Sequence, residues 1–193
     1  ELTTAKTVFY PGCHRHLTAA LAFPDVTFVD FDKKVSPLYD DPTAREYVDT
    51  YKLYDEASQY RFYCYDVHKQ PPKKARQDYD LLVSLSAGII AEDCTSYVRK
   101  NGHLLVNDAH SDARMIYTGD NPWELVAFWE DDAWNTEDLD RCFRVVQSKN
   151  KSSSAGVLSR AQAEESVEVG TVRKRSFMLS FEPMFYLFQK KAL

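Results

Sequence analysis

The sequence has no nucleotide-phosphate signature. With only six glycines in 193 residues, it contains neither GxGxxG nor GxxxxGK[ST]. That removes the ordinary dinucleotide oxidoreductase and the P-loop ATPase from consideration. Its four cysteines, Cys13, Cys64, Cys94 and Cys142, form no CxxC pair, so a structural zinc site is not expected. Nothing requires them to be bridged, and a reducing, cytoplasmic location is the expectation. No run of about 18 apolar residues exists, so no membrane span is expected, and the start ELTTAK lacks the basic-then-apolar order of a signal peptide. Basic excess is absent as well. The net charge of -5 speaks against a nucleic-acid partner held by bulk electrostatics and for a small-molecule substrate or a protein partner.

What is present is alternation of strand-like and helix-like segments. Thr7 to Tyr10 is β-rich and stops at Pro11-Gly12. His16 to Phe23 is rich in helix formers, Pro24-Asp25 breaks it, and Val26 to Val29 forms a second strand closed by Asp30. Two strands joined by a helix lie parallel. Gly12 and Asp30 therefore share the carboxyl-end edge of one sheet, where open α/β folds place ligands. A glycine allows close backbone approach, and an acid there can accept hydrogen bonds from ribose hydroxyls.

Further strands are expected at Tyr60 to Tyr65, ending at Asp66, at Asp80 to Leu85, at His103 to Val106, and at Trp123 to Trp129. The intervening helices are expected at Thr43 to Gln59, with a Thr43/Glu46 capping box and a Tyr47, Tyr51, Tyr54 stripe facing the sheet, at Ile89 to Arg99, and at Ser111 to Tyr117. Residues 33–42 read as a loop. So do His68 to Asp78, with Pro71-Pro72 and the solvated run Lys73 to Arg76. Thr136 to Val146 reads as a helix, Ser148 to Ser154 as a linker, and Ala161 to Ser166 as a polar helix. Phe185 to Phe188 reads as the core of a last strand, Glu182 to Lys190, lying antiparallel beside Trp123 to Trp129. The whole is expected to be one α/β domain, residues 1–193, with a flexible or inserted segment around 147–176.

The succession TVFYPG, TFVDFD, RFYCYD, YDLLVSLSAG and RKNGHLLVND resembles the class I S-adenosylmethionine-dependent methyltransferases. The resemblance implies a doubly wound, mostly parallel seven-stranded sheet in the order 3-2-1-4-5-7-6. It implies S-adenosylmethionine as cofactor, with the first turn (Tyr10, Gly12, Cys13) under its methionine part, Asp30 on the ribose, Asp66 at the adenine and Ser84 facing the methyl group. The first motif departs from the family. Tyr10 stands where an acid is usual, and Gly12 alone remains of the glycines. The fourth strand lacks the Asn/Asp-Pro-Pro-aromatic motif, which disfavours base N-methylation.

Other readings of the same residues compete with these. Cys13-His14-Arg15-His16 reads as a metal pair, as a Cys–His nucleophile, or as plain polar residues on a first helical turn. Asn107 to Asp112 groups acids, an amide and a histidine beyond the fifth strand. His110 there is a candidate general base, with Asp108 beside it, and Asp108 with Asp112 is a candidate Mg²⁺ pair, although a helix cap explains the same residues. Two functions are consistent with this pattern: methyl transfer to a small molecule, on oxygen rather than nitrogen, or a binding module that has kept the fold and lost the chemistry.

Overall fold

The computed structural model describes residues 3–69, 76–148, 156–170 and 175–192. The strands are β1 (Thr7–Pro11), β2 (Asp25–Asp30), β3 (Gln59–Cys64), β4 (Tyr79–Ser84), β5 (Val98–Val106), β6 (Trp123–Glu130), β7 (Ala133–Asn135), β8 (Arg144–Ser148), β9 (Gly156–Val157), β10 (Phe177–Leu179) and β11 (Phe185–Lys190). The helices are α1 (Ala19–Ala22), α2 (Ser36–Asp40), α3 (Pro42–Tyr51), α4 (Asp112–Thr118) and α5 (Arg160–Val169). Pro71-Pro72, the stretch Lys73 to Ala75, most of the expected linker Ser148 to Ser154, and 171–174 lie outside the described residues.

Eight strands form one sheet in the order β3-β2-β1-β4-β5-β11-β6-β7. The first five pair in parallel, in the expected order. β11 enters antiparallel between β5 and β6. β7 adds an eighth strand through a hairpin whose turn residues Asp131 and Asp132 both take positive φ. A separate sheet, β10-β8-β9, was not anticipated.

Alternation along the central strands builds two cores, because successive side chains leave a strand on opposite faces. Val8 and Tyr10, Val26 and Phe28, and Leu81 and Val83 face one cluster, covered by α1 to α3. Phe9, Val29 and Leu82 face the other, which continues through Leu104, Val106, Ile116 and Phe143 to the second sheet. Each such side chain, fully buried, contributes roughly 1.5–3 kcal/mol.

Several expected elements are replaced. Residues 85–97 form turns and a 3-10 segment, Thr95–Tyr97, in place of a helix. β5 starts at Val98, and Asn101 (φ 60) makes an irregularity inside it rather than a helix stop. Gly102 is required there, since a Cβ would meet Val98 Cγ1 at 2.5 Å and two backbone oxygens at 3.0 Å. α2 lies in the expected 33–42 loop. α3 is capped by Asp41, which accepts the Thr43 N–H, and not by Thr43. It buries Val48, while Tyr47 and Tyr51 stay exposed. The expected helix at 136–146 is a 3-10 segment followed by β8. No described helix is long and apolar enough to cross a membrane.

Candidate functional site

The carboxyl ends of β1, β2, β3 and β4 meet around a cleft with two connected hollows. Gly12, Asp30, Phe31 and Ala87 line both. The narrower hollow, about 170 Å³, is closed by Tyr65, Asp66, Val67, His68 and Ile90. The broader one, about 500 Å³, opens past His14, Asp32, Ser86, Gly88 and His110. Of the residues expected at a site, Gly12, Asp30, Asp66 and His110 thus come together, joined by His14.

Asp30 anchors the cleft. Its side chain is almost buried, and it accepts the His14 N–H at Oδ2 (2.9 Å) and the Asp32 N–H at Oδ1 (2.8 Å). A carboxylate has about four lone-pair sites, so two backbone donors leave each oxygen able to accept once more. The same bonds fold the turn after β1 onto the end of β2. Gly12 (φ +63) serves this packing: a Cβ on it would lie 2.4 Å from the Ala87 Cβ. The glycine brings the turns after β1 and β4 together.

The narrow hollow has an apolar wall and a polar end. Tyr65 lines it, but its Oη is closed off from water and has no partner among the described residues. Desolvation, then the neighbouring Asp66 charge, raises its phenol above the usual range. Asp66 accepts the His68 N–H at 3.1 Å and pairs with Lys69 at 3.2 Å, and these contacts hold its carboxyl below the ordinary value. His68 Nδ1 meets Asp93 Oδ2 at 2.7 Å, bridging the loops after β3 and β4. Phe31 is 75% exposed at the mouth, free to lie against a planar ligand.

The remaining candidates lie elsewhere. Tyr10 is buried in the core, with its hydroxyl 3.1 Å from His16 Nδ1. Cys13 is fully buried against Tyr39 Oη (3.1 Å), and burial pushes its thiol up to about 12, so it is no activated nucleophile. The helix begins only at Ala19, so Cys13 to His16 form a turn and not a helical start. No group of three or more His, Cys, Asp or Glu among the described residues could hold a metal ion.

Ser84 is buried and donates to Asp112 Oδ2 at 2.6 Å rather than facing the cleft. Asp112 also accepts the Ala91 N–H at 3.3 Å, tying down the loop that carries Ile90. Asp108 is consumed by Arg114, which donates to it through Nε (2.6 Å) and Nη2. Neither acid is placed to hold Mg²⁺, and Asp108 does not orient His110. His110 is exposed at the rim and makes no hydrogen bond to a described residue.

Sequence reasoning missed Tyr65, His68, Ala87 and Ile90. In the sequence Tyr65 reads only as a strand end. The small run Ser86-Ala87-Gly88 was visible as a turn, but its contact with Gly12 depends on the strand order.

No protein-family model matches the chain, and no curated protein matches it. Solved structures do. StiE O-MT is 14% identical over 100% of this chain and 70% of its own, with a TM-score of 0.50. A SAM-dependent methyltransferase from Methanosarcina mazei is 9% identical over 99% and 95%, at 0.47. A methyltransferase-like structure from Thermoplasma acidophilum is 10% identical over 97% and 68%, at 0.47. At these identities the likeness is one of fold.

Proposed function

From the class I methyltransferase-like fold that this chain has, we propose that it binds S-adenosylmethionine in the Gly12–Asp30 cleft and transfers a methyl group to a small hydroxylated acceptor. The observation that carries this reading is the Asp30 carboxylate, oriented by two backbone N–H groups with acceptor capacity left over, at the end of β2. The narrow hollow, mostly apolar and bounded by Tyr65, Val67 and Ile90 with Asp66 at its edge, suits the flat body of a heterocycle. The residues present therefore fit an adenosyl group. When bound, the cofactor would supply an electrophilic methyl carried on a sulfonium.

In this reading Asp30 holds the ribose hydroxyls. Tyr65, Val67 and Ile90 enclose the base, and Asp66 lies at its edge. Phe31 shields the group from water. The broad hollow takes the acceptor, and His110 at its rim removes the hydroxyl proton. An imidazole within reach of the acceptor is the side chain most often used for that proton transfer. Methyl transfer asks little more of a protein than in-line placement.

Calorimetric titration with S-adenosylmethionine and S-adenosylhomocysteine tests the binding. Absence of heat with both ends the proposal. Turnover on a panel of hydroxylated acceptors tests the chemistry: His110→Ala should reduce it on the order of a hundredfold while binding survives. The second reading, a binding module without turnover, draws on one observation, namely that Asp108 is spent on Arg114 and leaves His110 with no orienting partner among the described residues. Cofactor binding without methyl transfer to any acceptor would favour it.

A further inference from the structure

A second concavity lies away from the Gly12 cleft. It is a groove of about 390 Å³ between the β6–β7 hairpin and the loop entering β11. Trp129, Phe181 and Met184 supply apolar walls, and Asp131 and Asp132 stand at its edge on the hairpin turn. Neither aspartate has an ion-pair partner among the described residues, whereas the neighbouring Glu130 is taken by Arg141.

Glu182 lines the same groove and closes its inner end. Its Oε1 lies 3.6 Å from Arg114 Nη2 and 3.7 Å from Arg175 Nη1. These are ion-pair distances, too long for hydrogen bonds. Behind it the two guanidiniums are buried, with side-chain exposures of 1% and 8%. Arg114 is satisfied by Asp108 and Ser166. Arg175 Nε is buried without a partner among the described residues, and so is Tyr186 Oη, which lies near Arg114 and Glu182. Of the other acids near Arg175, Asp108 is taken by Arg114, and Glu165 is spent on the N–H and hydroxyl of Ser176. A buried guanidinium with an unmet donor is costly, and the half-exposed Glu182 is its loose counter-ion.

We infer that the groove is a binding site for a small amino-carboxylate, whose carboxylate replaces that of Glu182 on Arg175 and Arg114 while its ammonium meets Asp131 and Asp132. Glu182 shows that a carboxylate is accepted at the inner end, and its exposure lets it swing into water. The guanidinium fork suits a planar carboxylate with two acceptors. The acidic rim disfavours a plain anion and favours a cationic end, and the apolar walls suit the aliphatic spacer between the two charges. This inference is independent of the adenosyl reading, since it uses none of the cleft residues.

Titration calorimetry of the whole chain with glycine, 4-aminobutanoate and 6-aminohexanoate tests it, with butanoate and butylamine as one-ended controls. At least one amino acid should bind tighter than both controls. Glu182→Gln removes the competing carboxylate and should tighten that ligand about tenfold, because the binding-competent form is no longer a minor one. Asp131→Asn with Asp132→Asn, on an exposed turn, should leave folding intact and bring the amino acid down to the level of butanoate. Butylamine binding as tightly as the best amino acid would overturn the inference in favour of a simple cation groove. Equal binding of butanoate would overturn it in favour of a simple anion site. No heat from any probe, with wild type and Glu182→Gln alike, would overturn it altogether.

Discussion

The ends of β2 and β5 make an instructive pair. Each delivers an aspartate at the carboxyl edge of the sheet: Asp30 closes β2, and Asp108 stands two residues past β5. Each is nearly removed from water. Asp30 meets two backbone N–H groups and still faces a cleft, while Asp108 meets a buried guanidinium and faces none. The difference lies in the compensating donor. A backbone amide carries no net charge and takes one lone pair. An Arg fork takes the charge and most of the acceptor capacity with it. An acid at the ligand edge is therefore available for function only where dipoles rather than a cation stabilise it.

The largest test breaks the β5 side. Arg114→Ala leaves Asp108 buried and uncompensated, and should cost about 3–5 kcal/mol in denaturant unfolding. A cost below about 1 kcal/mol would mean that the pair contributes no more than a surface bridge.

Next comes Asp112, the third acid of this edge. Burial pushes it up to about 6, against the Ser84 hydroxyl and the Ala91 and Ile90 N–H groups, which favour the charged form. A raised carboxyl contributes stability that is fully present below the unfolded value of 3.8 and is lost as the pH rises through about 6. Unfolding followed between pH 4 and 7 should show a loss on the order of 2–3 kcal/mol from this group, and Asp112→Asn should flatten that segment. An unchanged slope in the variant would assign the dependence to other groups.

On the β2 side, Asp30→Ala should weaken S-adenosylhomocysteine by about 1.5–3 kcal/mol, the scale of a hydrogen bond to a charged group. Because two backbone N–H groups lose their acceptor, it should also lower stability by about 1–3 kcal/mol. A loss of stability with ligand affinity untouched would make both acids structural and dissolve the contrast. The smallest effect is expected from Tyr65→Phe. Stability should hold or rise slightly in denaturant unfolding, since the lost hydroxyl has no partner among the described residues, and S-adenosylhomocysteine affinity should stay unchanged, since that hydroxyl is closed off from the cleft.

The parallel half of the sheet was legible because β1, β2 and β4 are buried on both faces and are mostly apolar, with Gly12, Asp30 and Asp66 as punctuation at or just past the ends of β1, β2 and β3. Where tertiary contacts override local preference, the sequence misleads. Ile89 to Cys94 has helix-compatible composition, yet Gly88 takes φ +95 and the Ala91 N–H is drawn to Asp112, two elements away. Arg144 to Gln147 becomes a strand because Phe177 to Leu179 pairs with it, a partner some thirty residues on. The site was half legible for the same reason. Asp30 follows from strand order, whereas the neutralisation of Asp108 needs α4 to bring Arg114 back over the end of β5.

The placement of β11 has a consequence for biosynthesis. Phe185–Lys190 is hydrogen-bonded on both sides, to β5 and to β6, which precede it by most of the second half of the chain. During vectorial synthesis those two strands leave the ribosome long before the wedge that separates them. Until it arrives each carries a bare edge able to pair wrongly, with the other or with a neighbouring nascent chain. Closure of this seam is late and non-local, the kind of pairing that slows folding and leaves strand edges open to misassociation until it is complete.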